Sequence, residues 1–115
     1  MSGYQLPDEA VQAMLEDIER TGRVHAAAKG KTSALTELRK IHKAQLMKVL
    51  EANGVKSLAA QTREAYAHPT HQVVVDRLVA AIEEEMNAAV AHSIAEKTWE
   101  SWRTRSADLR AASRG

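Results

Sequence analysis

Apolar residues recur at helical spacing from the start of the chain. The first set falls at positions i, i+3, i+4 and i+7, which mark one buried face of a helix: Val11, Met14, Leu15 and Ile18. Pro7 suits the first turn of this helix, and Gly30 predicts its end. Thr32 or Ser33 would then cap the next helix, because both residue types favour the N-cap position. The pattern therefore predicts an N-terminal helix within residues 1–30.

A second helix is predicted from about Ser33 to Ala52, where Asn53 and Gly54 close it. Five residues of this segment share one sector of the helix and predict its buried face: Leu35, Leu38, His42, Leu46 and Val49. Three lysines lie on the opposite half of the helix: Lys40, Lys43 and Lys48. The second helix is therefore predicted to be amphipathic, with a cationic outer face.

A short helix and a long one are predicted in the second half of the chain. Ser57 caps the short helix, and His68 ends it, because a residue that precedes proline avoids helical angles. No Gly or Pro separates Pro69 from Gly115, which predicts one helix over residues 70–112. Ten residues form its apolar stripe: Val75, Leu78, Val79, Ile82, Met86, Ala89, Val90, Trp99, Trp102 and Leu109.

The length of the last helix bears on the assembly. A helix of about 40 residues is ~60 Å long, whereas a compact chain of this size has a radius of gyration of ~13 Å. The helix must bend or bury its stripe against another chain, and we favour a homo-oligomer.

The predicted fold is all-α, with three to four helices and a long C-terminal helix, as a helical hairpin or bundle completed by oligomerisation. One domain covers residues 1–115: an N-terminal helix (1–30), a basic helical region (31–69) and the long helix (70–112).

Composition supports long helices with a thin core. Of 115 residues, 21 are alanine and only 22 are leucine, isoleucine or valine. Alanine is the best helix former but fills a core poorly. Cysteine is absent, which excludes disulfides and thiol catalysis and suits a reducing cytoplasm. No segment is apolar enough to span a bilayer, so no membrane partner is expected.

The net charge of +1 hides a basic middle and a basic tail. Residues 20–63 carry ten basic and two acidic side chains, and residues 101–115 carry four arginines and one aspartate. The stretches 1–19 and 64–100 are acidic. Such blocks can attract a polyanion, or they can pair with acidic blocks of the same or a neighbouring chain. Both interpretations stay open at this point.

Three motifs resemble parts of catalytic or ligand sites. The stretch from Gly30 to Ser33 ends like a phosphate-binding loop, but His25 stands where that loop needs a glycine. His68 and His71 are predicted to lie in a solvated turn, because a zinc site wants three or four ligands. The three glutamates from Glu83 to Glu85 point about 100° apart on a helix and cannot converge on one ion. The sequence therefore predicts no enzyme, no cofactor and no metal site.

Two tryptophans near the end of the chain allow two interpretations. Trp99 and Trp102 lie on one helix face, and Arg103, Arg105 and Arg110 follow them. Indole rings beside guanidinium groups can stack on bases and neutralise phosphates of single-stranded nucleic acid. Alternatively, the two indoles supply the bulk of an otherwise alanine-rich core.

The order of these features from about residue 38 to residue 110 resembles a known group of proteins. A basic helix is followed by Ala-Asn-Gly-Val-Lys-Ser, by a short Thr-Arg-Glu-Ala-Tyr-Ala helix, and by a long helix that closes in Trp-Glu-Ser-Trp-Arg-Thr-Arg-Ser. This pattern resembles that of a group of small phage helical proteins that are similar to the UvsY-type recombination mediators. Residues 1–30 have no clear counterpart in that group.

The resemblance implies a non-enzymatic homo-oligomer in the cytoplasm of a bacterial host. It would bind single-stranded DNA and help to load a recombinase or annealing protein where a single-strand-binding protein is already present. The resemblance carries over to the lysines of the basic helix and to the basic residues of the turn and the short helix that follow. With the tryptophan–arginine stretch, the predicted DNA-binding set is Lys40, Lys43, Lys48, Lys56, Arg63, Trp102, Arg103 and Arg105. The alternative is a helical protein-interaction module, either a phage inhibitor of a host complex or an assembly protein.

Overall fold

Three α-helices account for nearly all of the residues that the structure describes, which are residues 8–114 in a computed structural model. Helix α1 spans Asp8–Ala52, α2 spans Leu58–Ala67 and α3 spans Pro69–Arg114. No strand occurs in this part of the chain. The predicted all-α class and the long C-terminal helix are confirmed.

Helix α1 passes through Gly30 without a break, so the predicted helix end at this residue is wrong. The predicted N-cap at Thr32 or Ser33 is wrong as well. The hydroxyl of Thr32 donates a hydrogen bond to the carbonyl oxygen of Ala28, 3.1 Å away and one turn back. A threonine that bonds in this way fits a helix interior. A single glycine costs a helix only about 0.5–1 kcal/mol relative to alanine, which packing of the helix can offset.

The connections around α2 agree with the sequence signals. Gly54 has a φ of 98°, the left-handed conformation that glycine tolerates best after a helix end. The hydroxyl of Ser57 accepts a hydrogen bond of 3.3 Å from the backbone N–H of Ala60, as an N-cap does. His68 ends α2, and Pro69 begins α3. The predicted bounds of the short helix are confirmed.

The chain forms two compact units, each built from parts of α1 and α3. The hairpin unit runs from Ala28 to Glu85 and contains α2. The terminal unit combines the residues up to Ala27 with those from Met86 onward, of which 8–27 and 86–114 are described.

In the hairpin unit, α1 and α3 pack side by side in opposite directions. The Thr32 hydroxyl contacts the carbonyl oxygen of Ala81 at 3.3 Å, and the rings of His42 and His71 stack further along. An advance of ten residues on α1 (32 to 42) thus matches a retreat of ten on α3 (81 to 71). Leu35 and Leu78 join Ala81 in the core between these two contacts.

In the hairpin unit, the buried face of α3 shares Leu78 with the predicted stripe but otherwise differs from it. In the hairpin unit, the buried residues of α3 recur every three or four positions: His71, Val74, Leu78 and Ala81. We call this line the seam. Val79 and Ile82 belong to the predicted stripe but are 52% and 40% exposed. One helix packed on a single antiparallel partner covers only a narrow strip, so apolar residues beside that strip stay in contact with solvent.

The terminal unit also has a narrow core. Its buried residues are small or polar: Thr21, Ala88, Ala95 and Ser106. Of the stripe predicted here, Met86 and Val90 are 63% and 58% exposed. The other members are half-buried: Ala89, Trp99, Trp102 and Leu109. The absence of large residues between the helices suits the alanine-rich composition, because small side chains let two helices approach closely.

Replacing Gly30 with alanine should raise the free energy of unfolding by about 0.5–1 kcal/mol, because alanine is the better helix former. A Cβ atom at this position meets nothing within 4 Å. Gly22→Ala is the matched control, since its Cβ would lie 3.1 Å from Cε1 of His92 and the ring would have to move. Urea unfolding of both variants measures the difference. An equal gain at both positions would show that His92 does not pack against Gly22.

Candidate nucleic-acid interface

Two tryptophans on α3 form a stacked pair in the terminal unit. The ring centroids of Trp99 and Trp102 lie 5.0 Å apart, and the ring planes differ by 26°. A spacing of three residues places both side chains on one face of the helix. Each indole is half-buried, so neither is a fully enclosed core residue. The exposed part of each ring remains available to a planar ligand.

A groove of about 520 Å³ lies beside this pair. Met14 of α1 and Ile94 of α3 supply apolar contacts, and Trp102 forms part of the lining. Lys97 and Arg105 also line the groove and place two cations there. An apolar surface with an aromatic plane and two cations suits a ligand that is flat at one end and anionic at the other.

The surroundings of the groove limit where an anion can bind. A second depression also contains Lys97 and Arg105, but Glu100 and Asp108 line it as well. These carboxylates disfavour an anion on that side. Arg103, which the sequence placed in the DNA-binding set, is exposed but does not line the groove. Of the predicted tail residues, the structure thus brings Trp102 and Arg105 together and leaves Arg103 apart.

Sequence reasoning missed the other members of the groove. Lys97, Ser101 and Arg105 are four residues apart on α3, so helical spacing alone places them on one face. That signal was present in the sequence. The contribution of Met14 was not, because it depends on which part of α1 packs beside the end of α3.

The basic residues of the hairpin unit differ in their surroundings. Lys40 pairs with Glu37 one turn earlier, with 3.3 Å between Nζ and Oε1. Lys31 pairs with Glu84 of α3 at 3.1 Å, and both side chains are 57% exposed. Exposed pairs of this kind contribute about 0–1 kcal/mol. Part of the basic block therefore contacts the acidic block of the same chain.

Three other cations of the predicted DNA-binding set have no such partner. They are exposed and form no ion pair with any residue between 8 and 114: Lys48, Lys56 and Arg63. Lys48 belongs to α1, Lys56 to the connection after it and Arg63 to α2. These residues remain available to an external anion.

Lys43 has a role that the sequence did not indicate. Its ammonium group donates a hydrogen bond of 2.9 Å to the hydroxyl of Tyr66 and lies 4.4 Å from the centre of that ring. The hydrogen bond from Lys43, and then its charge, lower the pKa of the Tyr66 phenol. Lys43 is half-buried and links α1 to α2.

The two histidines near Pro69 have different environments. His68 is half-buried, and its Nδ1 accepts a hydrogen bond of 3.2 Å from the backbone N–H of Thr70 at the start of α3. His71 was predicted to lie in a solvated turn, which is wrong because only 2% of it is exposed. Helix α3 begins two residues earlier, and its first turn directs His71 into the seam against His42.

The terminal unit holds a second histidine pair. The ring of His92 lies 6.4 Å from that of His25, and its Nδ1 is 3.0 Å from the Thr21 hydroxyl. Its Nε2 is 3.4 Å from a carboxylate oxygen of Glu96. Over residues 8–114, no three His, Asp or Glu side chains are grouped so that they could hold a metal ion.

Comparison with known proteins finds no relative. The chain matches no protein family, no curated protein and no solved structure. Within the described part of the chain, no helix has an apolar stretch that could cross a membrane. The fold and the grooved surface define an all-α protein of antiparallel helix pairs, with a tryptophan groove in one unit and exposed cations in the other.

Proposed function

We propose that this protein is a non-enzymatic, single-stranded DNA-binding protein that acts as a recombination mediator. The groove of the terminal unit carries the proposal, because Trp102 lies there beside Lys97 and Arg105. An unpaired base stacks on the indole, and the two cations neutralise phosphates next to it. Stacking accepts any base, so binding has little sequence preference.

The exposed cations of the hairpin unit supply further phosphate contacts. Lys48, Lys56 and Arg63 are free of ion pairs within the described residues. Each phosphate that they neutralise releases bound counterions, which makes the affinity depend on salt. Lys43 contributes less, because its ammonium group is already bound to Tyr66.

Self-association belongs to the same proposal. Each unit leaves large apolar side chains in solvent outside the groove: Ile41, Val79 and Ile82 in the hairpin unit, and Met86 and Val90 in the terminal unit. Large exposed apolar side chains often mark an interaction surface, so these residues favour a homo-oligomer in which copies bury them. Several weak contacts along one strand then add up to stable binding.

The mediator role rests on the resemblance to UvsY-type proteins. In that role the protein acts in the cytoplasm of a bacterial host, with a recombinase or annealing protein and a single-strand-binding protein as partners. The same exposed apolar residues also favour the second candidate, a helical protein-interaction or assembly module.

Titration with a single-stranded oligonucleotide tests the DNA-binding proposal. Both tryptophans of the chain lie in the stacked pair, so their fluorescence reports directly on the groove. At 50 mM salt we expect the oligonucleotide to quench the tryptophan fluorescence. With about four phosphates neutralised, the affinity for the oligonucleotide should be roughly 50-fold lower at 200 mM salt than at 50 mM. Absence of binding at 50 mM would refute DNA binding. A large solution mass that needs no oligonucleotide would then favour the assembly module.

A charge variant separates the hairpin-unit cations from the groove. Replacing Lys48, Lys56 and Arg63 together with alanine should weaken binding by about one to two decades and lower the salt dependence, without loss of helicity. Lys40→Ala is the matched control, since Lys40 already pairs with Glu37. Unchanged affinity in the triple variant would restrict the interface to the groove.

A further inference from the structure

A pair of stacked histidines lies in the hairpin unit, with His71 buried and His42 half-buried. The rings of His42 and His71 stack with centroids 6.0 Å apart and planes 21° apart. His71 is 2% exposed, and the ring of Tyr66 meets it edge-on at 5.4 Å. The Nδ1 atoms of both histidines are buried and have no hydrogen-bond partner within the described residues. Helices α1, α2 and α3 therefore meet at two imidazoles.

The charged groups near His71 are cations, which disfavour a positive charge on its ring. Helix α1 brings Arg39 and Lys43 close to His71, and α2 brings the Tyr66 hydroxyl, which is bound to Lys43. No carboxylate of the described residues forms an ion pair with either ring. Burial lowers the pKa of His71, and His42, Arg39 and Lys43 lower it further.

We propose that the His42–His71 pair makes closure of the hairpin unit sensitive to acid. With its ring neutral, His71 fills the seam between α1 and α3 against His42. Protonation of His71 places an unpaired cation in a buried site beside Arg39 and Lys43, and α1 and α3 separate there. This proposal does not depend on DNA binding.

The direction of the effect follows from the two states of the chain. In the unfolded chain a histidine titrates near pH 6.5, whereas the closed unit holds His71 neutral at lower pH. The free energy of unfolding of the hairpin unit is therefore highest above pH 6.5. It decreases as the pH falls below 6.5, because the unfolded chain then binds a proton that the folded unit does not. For His71 alone, the opening equilibrium constant rises by up to about tenfold between pH 7.5 and pH 5.5.

The terminal unit provides an internal contrast. His92 has the Glu96 carboxylate 3.4 Å from Nε2 and the Thr21 hydroxyl 3.0 Å from Nδ1. Both ring nitrogens of His92 thus have polar partners, whereas the buried Nδ1 atoms of His42 and His71 have none within the described residues. The proposed sensitivity to acid is therefore assigned to the hairpin unit.

Hydrogen–deuterium exchange at pH 7.5 and pH 5.5, corrected for the intrinsic exchange rate, tests the proposal on the full chain. In the wild type, the opening equilibrium constant measured for peptides that cover Leu35 and Leu78 should be up to about tenfold larger at the lower pH. His71→Leu should remove most of this increase, and His25→Leu in the terminal unit should leave it unchanged. An equal increase in the wild type and in His71→Leu would overturn the proposal.

A second measurement covers the case in which His71→Leu does not fold. An NMR titration of the wild-type protein follows the His71 ring proton directly. Titration below pH 6.5, together with lost seam protection, supports the proposal. Titration at or above pH 6.5 with the seam intact overturns it.

Discussion

Replacing Trp102 with alanine should weaken binding to a single-stranded oligonucleotide by about 10- to 100-fold. The indole lines the groove beside Lys97 and Arg105, and stacking contributes about 1–3 kcal/mol per base. Fluorescence anisotropy of a labelled oligonucleotide measures the affinity without using the protein's own tryptophans. Circular dichroism should show the helical content of the wild type, because Trp102 is only half-buried.

Trp99→Ala is the matched control for this variant. It removes an indole of the same size and breaks the same stacked pair, but Trp99 does not line the groove. We expect a much smaller loss of affinity. If both variants bind the oligonucleotide as the wild type does and lose ~3 kcal/mol or more of stability, the tryptophans serve packing alone. That result would remove the groove from the proposed interface.

Replacing Leu78 with alanine should lower the free energy of unfolding by about 2–5 kcal/mol. Leu78 is 8% exposed and packs with Leu35 and Ala81 in the seam of the hairpin unit. Among the described residues this cluster has three members, so little else can fill the cavity. Urea denaturation at a fixed, low protein concentration measures the loss.

Val79→Ala tests the same helix one residue further on. Val79 is 52% exposed, so in a dilute single chain its replacement should cost less than about 1 kcal/mol. If copies of the chain bury this side chain, the cost rises with protein concentration and the solution mass falls. A cost equal to that of Leu78→Ala at low concentration would contradict the position of the seam.

The helix signals in the sequence succeeded where the cause was local. Ser57 caps α2 through its own hydroxyl, and proline at residue 69 restricts the backbone of His68. Such effects involve a few neighbouring residues and need no tertiary contact. Gly30 misled the prediction, because glycine weakens a helix only slightly and cannot end one that packing supports.

The candidate site was predictable in part for the same reason. The cationic character of residues 48, 56 and 63 and the shared face of the two tryptophans follow from composition and helical spacing. The bond from Lys43 to Tyr66 does not, because 23 residues separate the two partners. The groove also needs Met14, which lies far from Trp102 in the chain.

By itself, the sequence determined the all-α class, the bounds of α2, the length of α3 and the basic middle of the chain. These properties follow from backbone preferences and charges, which act over one or two helical turns. Only the tertiary structure decided which face of α3 is buried. Several faces are apolar enough to compete, and the choice depends on how closely two distant segments can pack. Along the seam, α3 packs against α1 through Leu35, Leu78 and Ala81, which leaves Val79 and Ile82 exposed and buries His71 against His42.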